Sequence, residues 1–176
     1  MENTGQMFDR ESELVTALER RLGEDECPFA QLMIAFEFDY HEGRIDVVGR
    51  NSKGELFGFE AKLSYWQKAV HQAYRNTSFT HYSYVVLPDA VAKKAVRARH
   101  EFERRGIGLC SITPDGILIE IPAAKNTPLR PWLTDSALEY IDEEVVESAV
   151  LGGSCCRLPP QPHTLTLPMN CQAIRV

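Results

Sequence analysis

Apolar positions along this chain keep switching between two spacings, one suited to strands and one to helices, and the switches mark out its elements. Asp9 is placed to cap a first helix that runs to Leu22, just before Gly23. Leu14, Val15, Leu18 and Leu22 form its apolar stripe, and Glu11 lies in that stripe while Glu13 points away. Residues 31–40 read as a first strand, with Met33 and Ala35 inward and Glu37 and Asp39 on a wet face. Residues 43–63 read as a β-hairpin. Ile45 and Val47 alternate with polar neighbours, as do Phe57, Phe59, Ala61 and Leu63, and Asn-Ser-Lys-Gly between the two runs favours reversal. From 64 to 78 the period becomes helical, with Trp66, Ala69, Val70 and Ala73 in one stripe. Gln72 and Asn76 occupy one shoulder of it, Gln67 and Tyr74 the other.

Residues 82–87 are almost continuously apolar, the pattern of a central strand reached by a crossover helix. Residues 90–105 predict a second crossover helix with Val91, Ala95, Ala98 and Phe102 inward. Residues 107–111 and 117–121 form a last hairpin about Asp115-Gly116, and 134–150 an amphipathic helix facing inward through Leu138, Ile141, Val145 and Ala149. The order predicts an α/β fold: a mixed sheet of about five or six strands flanked by helices on both faces.

The hairpin carries the candidate chemistry. A turn centred near Lys53 sets Asp46 opposite Glu60, and alternation projects Glu60 and Lys62 to one side. Opposed carboxylates repel, increasingly so as water is excluded, unless a cation answers them. Mg2+, with Mn2+ as a substitute, is held by one or two carboxylates together with waters and substrate phosphates. Such a metal activates water and neutralises charge developing on a phosphate, and an adjacent ammonium orients the water or stabilises the transition state. The implied reaction is hydrolysis of a phosphodiester.

A helical Glu, then Asp, then Glu-x-Lys on a hairpin, then a helix, resembles the PD-(D/E)XK nuclease superfamily with its restriction-endonuclease-like fold. The residues that carry the resemblance are Ile45-Asp46 and Glu60-Ala61-Lys62, preceded by Glu11 and followed by Gln72. Ile45 stands where the family pattern has proline, a position without a chemical role. The resemblance spans roughly the first two thirds of the chain. It implies a Mg2+-dependent nuclease with Asp46 and Glu60 as metal ligands, Lys62 beside the attacking water, and Glu11 and Gln72 in support. DNA is the expected substrate ahead of RNA, and cutting both strands of a duplex would call for a homodimer. Glu11 reads equally as a first-turn acid that complements the helix dipole, and Gln72 as a border residue. The alternatives are a catalytically silent nucleic-acid-binding or regulatory protein on the same fold, and an RNA-directed nuclease.

Composition narrows the setting. A net charge of −6 works against phosphate binding, so any nucleic-acid surface must be local. Lys93, Arg97, His100 and Arg104 line one helix side at i, i+4, i+7 and i+11, widened by Lys94, Arg99 and Arg105. They are candidate contacts, though a solvated face gives the same pattern. No apolar run spans a bilayer and the start lacks the order of a secretion signal, so a cytoplasmic protein without a membrane partner is expected. Five cysteines with no Cys-x-x-Cys pair predict reduced thiols. Residues 1–150 read as the nuclease-like domain. Residues 151–176, with Gly-Gly-Ser and Pro-Pro-Gln-Pro, read as a mobile tail whose Cys155, Cys156, His163 and Cys171 fit no zinc-finger spacing.

Overall fold

The computed structural model describes residues 8–29 and 31–150, and only the backbone of 148–150. The expectations for 151–176 lie outside the described residues. Helix α1 (Glu11–Leu22) is capped by Arg10 rather than Asp9, because Glu13 reaches back to accept the Asp9 and Arg10 backbone N–H groups at 2.8 and 3.4 Å. It buries Leu14, Ala17, Leu18 and Leu22. Next in the chain come β1 (Met33–Asp39), β2 (Arg44–Arg50), β3 (Leu56–Ala61), α2 (Trp66–Asn76), β4 (Tyr82–Pro88), α3 (Asp89–Ala95), α4 (Arg99–Glu103), β5 (Gly108–Ile112), β6 (Ile117–Ile121) and α5 (Pro131–Val150).

The strands form one six-stranded mixed sheet in chain order. Pairings β1–β2, β2–β3 and β5–β6 are antiparallel, while β3–β4 and β4–β5 are parallel, each reached by a helical crossover. The α/β reading is correct. At the β2–β3 turn Asn51 Oδ1 accepts the Lys53 and Glu55 N–H groups, and Gly54 supplies the left-handed residue at φ 76°.

Helices cover both faces. On one, α1 packs with Phe8 and Phe29 over Val47, Phe57, Phe59, Ala61, Tyr84 and Val86. On the other, α2, α3 and α4 cover Val85, Leu87 and Leu109, while α5 covers Ala35, Val48 and Leu56. The helix predicted over 90–105 is interrupted by a 3-10 turn at Val96–Ala98. Buried here are Ala92, Ala95 and Phe102, with Phe102 stacked on Trp66 at 5.6 Å, while Ala98, expected inward, falls in the tighter turn and is only half-buried.

Strand alternation also breaks at one place. Phe36 pairs with Val47, and both belong to the α1 side, whereas Phe38 pairs with Ile45, and both belong to the α5 side. Glu37 lies between them at φ 55°, a left-handed residue inside a strand, and it turns the pair over by one face. Ile45 thereby crosses above Gly58, where a Cβ would come within 2.6 Å of its Cδ1.

Candidate functional site

The site grows from that irregularity. The β2–β3 ladder ends at Val47 opposite Phe59, so Asp46 and Glu60 stand one step beyond the last pair. The predicted register is right, but the two acids do not face each other on one surface. Asp46 turns its carboxylate into the gap between the strands, where Oδ2 accepts the Ala61 N–H at 2.8 Å. The Ala61 N–H answers part of the Asp46 charge, but the two acids stay close enough for Asp46 to act on Glu60.

Glu60 projects to the α2 side and is 0% exposed. Asn76, also fully buried, donates through Nδ2 to Glu60 Oε1 at 2.7 Å and accepts the Tyr40 hydroxyl at Oδ1 at 3.0 Å. Glu60 Oε2 is buried with no hydrogen-bond partner. Burial, and then the charge of Asp46, push the Glu60 carboxyl up to about 8. Burial likewise raises Asp46, against the Ala61 N–H and the nearby Lys62 ammonium.

Lys62 does not share the Glu60 side, which corrects the alternation argument. Strand β3 ends at Ala61, so pleating no longer fixes the direction of Lys62. Its N–H is tied to the Val86 carbonyl at 3.1 Å, and its ammonium meets Glu11 Oε2 at 2.8 Å on the α1 side. Burial works against this charge, but the Glu11 hydrogen bond and the carboxylates of Asp46 and Glu60 outweigh it and hold the lysine above its ordinary value. The partner that Glu11 finds is therefore Lys62, across a pair in which the lysine side chain is 14% exposed and the glutamate 50%.

Gln72 is on the shoulder of α2 one turn before Asn76, and its Oε1 is buried without a partner. Asn76 and Tyr40 are the residues that sequence reasoning missed in this role. The signal was present for Asn76, which shares the Gln72 shoulder, whereas nothing in the sequence connects Tyr40 to it.

The candidate strip Lys93, Arg97, His100 and Arg104 is not gathered here. Helix α3 starts at the end of β4, beside the site, but α4 finishes at the opposite end of the strands, where β5 begins. Lys93 pairs with Asp89, and both His100 and Arg104 pair with Glu101.

A groove of about 380 Å3 opens beside Asp46 between α1 and the β1–β2 pair, walled by Glu11, Glu19, Phe36, Glu37 and Arg44. Among the described residues no three His, Cys, Asp or Glu side chains form a ready metal cluster, and no helix is long and apolar enough to cross a membrane.

No family model and no curated protein matches the chain. A solved structure does share the fold: SPO1766, a protein of unknown function from Silicibacter pomeroyi, is similar at a TM-score of 0.60 and 16% identity, over 82% of this chain and 93% of that one.

Proposed function

We propose that the protein is a metal-dependent nuclease that hydrolyses phosphodiester bonds, most readily in DNA, on a restriction-endonuclease-like version of the mixed sheet. The observation that carries this reading is Glu60: a fully buried acid with one oxygen fixed by Asn76 and the other unpartnered, beside Asp46 and a charged Lys62. An orphaned buried carboxylate oxygen is costly unless a cation or proton meets it. The donors suit a hard cation, since Asp46 and Glu60 offer oxygen only, and Mg2+, with Mn2+ as a substitute, takes its other ligands from water and substrate phosphate. When bound there, Mg2+ would supply a nucleophilic water and neutralise charge at the phosphate.

The remaining steps belong to the chain's own side chains. Lys62, held as an ammonium by Glu11, is a donor rather than a base, and it stabilises negative charge developing on the phosphate oxygens. Glu11 acts through Lys62 by fixing its position. Gln72 offers its unpartnered Oε1 to a donor on the incoming water or substrate.

The test is incubation of supercoiled plasmid with Mg2+ or Mn2+. Cleavage by the parent, lost in Lys62→Ala and Asp46→Asn, is the expected result; a parent protein that leaves the plasmid intact with either ion would sink the enzyme. The second reading is a catalytically silent nucleic-acid-binding or regulatory protein; the net charge of −6 and the acidic wall of the groove beside Asp46 work against phosphate binding and so favour its regulatory form. Nucleic-acid binding without cleavage by the parent would establish the binding form. A homodimer is proposed only for cutting both strands, and monomer mass in solution at working concentration would remove it.

A further inference from the structure

The surface of α2 differs from every other helical surface in the described chain. Its sequence, WQKAVHQAYRN, has no Asp or Glu, whereas every other described α-helix contains at least one. Lys68 and Arg75 are exposed on it, and the polar contact of the Arg75 guanidinium is a long one, 3.4 Å to the Glu42 carbonyl. With Gln72 they fall at i, i+4 and i+7, on the shoulder adjoining the line of Asn76, which reaches Glu60.

A second observation lies at the start of the same helix. Tyr65, three residues after Lys62, is 80% exposed and adopts φ 52°, a left-handed conformation that disfavours a bulky side chain. Its ring is therefore neither held by packing nor favoured by the backbone. Such strained residues gather where a ligand is met. An exposed ring beside the exposed Lys68, with Arg75 two turns further along the same helix, is the pattern of a stacking platform for unpaired bases; a duplex keeps its bases stacked on one another. On the other flank, the cations at the groove beside Asp46 are already met by carboxylates, Lys62 by Glu11 and Arg44 by Glu37, which leaves that side less open to a phosphate chain than α2.

We propose that Tyr65, Lys68 and Arg75 form a docking strip for single-stranded DNA, which leads the strand along α2 toward Lys62 at the end of β3. The direction of travel rests on the proposed phosphodiester site; the binding does not.

The experiment measures fluorescence anisotropy of a labelled oligothymidylate with the full chain in EDTA, across a salt series. Tyr65→Ala weakens binding about tenfold, the loss of one stacked base. Lys68→Ala and Arg75→Ala each reduce the slope of log K against log salt by about 0.7. A duplex of equal length binds more weakly, and Lys125→Ala, at the far hairpin end beside Glu55, binds like the parent. All these positions are exposed, so circular dichroism and melting temperature should match the parent.

Parent-like binding by Tyr65→Ala overturns the strip, and so does equal binding of the duplex or a larger loss in Lys93→Ala or Arg97→Ala than in Arg75→Ala. Tighter binding of oligouridylate overturns the choice of DNA. Plasmid cleavage, run alongside, separates the two proposals: failure of the parent to cleave, with oligothymidylate binding intact and lost in Tyr65→Ala, ends the nuclease and keeps the strip.

Discussion

Glu60 and Lys62 stand two residues apart, yet one is sealed between the sheet and α2 while the other reaches a half-exposed acid on α1. On the sealed side every distance is set by neighbours that cannot move without opening the core: Asn76 and Tyr40 are themselves buried. On the open side a single ion pair near water holds Lys62. The dry half fixes position, and a change in it should register in stability. The wet half supplies charge, and a change in it should register in the reaction with the fold left intact.

On the proposed nuclease reading, the largest effect is expected where charge would meet the reacting phosphate. Lys62→Ala should slow plasmid cleavage about 10^2- to 10^3-fold, with a melting temperature near that of the parent. A large drop in melting temperature with little loss of rate would reverse the contrast.

The second prediction concerns pH. Folded Glu60 holds its proton to about 8, whereas in the unfolded chain it releases it near 4.5. Between those values the folded state binds more protons, so its stability falls as pH rises and levels off above about 8. The size is of order a few kcal/mol. Asp46, also raised, adds to the fall, whereas His81, lowered by burial, contributes the opposite slope near its ordinary value. The difference between parent and Glu60→Gln isolates the acid: denaturant melts at pH 5 and 8 should show the parent losing more stability than the variant, and parallel curves would refute the assignment.

Asn76→Ala comes third. It leaves both Glu60 Oε1 and the Tyr40 hydroxyl unpaired in the core, and should destabilise by about 2 kcal/mol. Glu11→Gln is the smallest in stability, under about 1 kcal/mol, because its carboxylate is half in water. If Glu11→Gln proved the more damaging of the two in a urea titration, the wet and dry assignments would have to be exchanged.

Much of this was legible in the sequence because it depends on local rules. Periods of two and about 3.6 separate strands from helices without any knowledge of contacts, and near-continuous apolar residues identify β4 as central. The Asn-Ser-Lys-Gly turn sets the hairpin register, so the step that brings Asp46 level with Glu60 comes from counting. The single helix over 90–105 failed for the converse reason. A stripe repeated in sequence cannot reveal a 3-10 turn introduced at Val96–Ala98, and of the cations it aligned on paper, Lys93 lies against Asp89 while His100 and Arg104 lie against Glu101.

The sequence by itself determined the elements, their order, the register of the hairpin and the identities of the charged residues at its end. Tertiary structure decided where those charges point. A left-handed Glu37 turns β1 and β2 over by one face, the ladder stops at Val47, and β3 ends before Lys62, so alternation loses its hold where the chemistry begins. Backbone pleating sets side-chain direction only while pairing continues: Glu60, still paired with Val85 of β4, keeps the face that alternation gives it, whereas Lys62, past the last pair, is turned by Glu11, a neighbour distant in sequence.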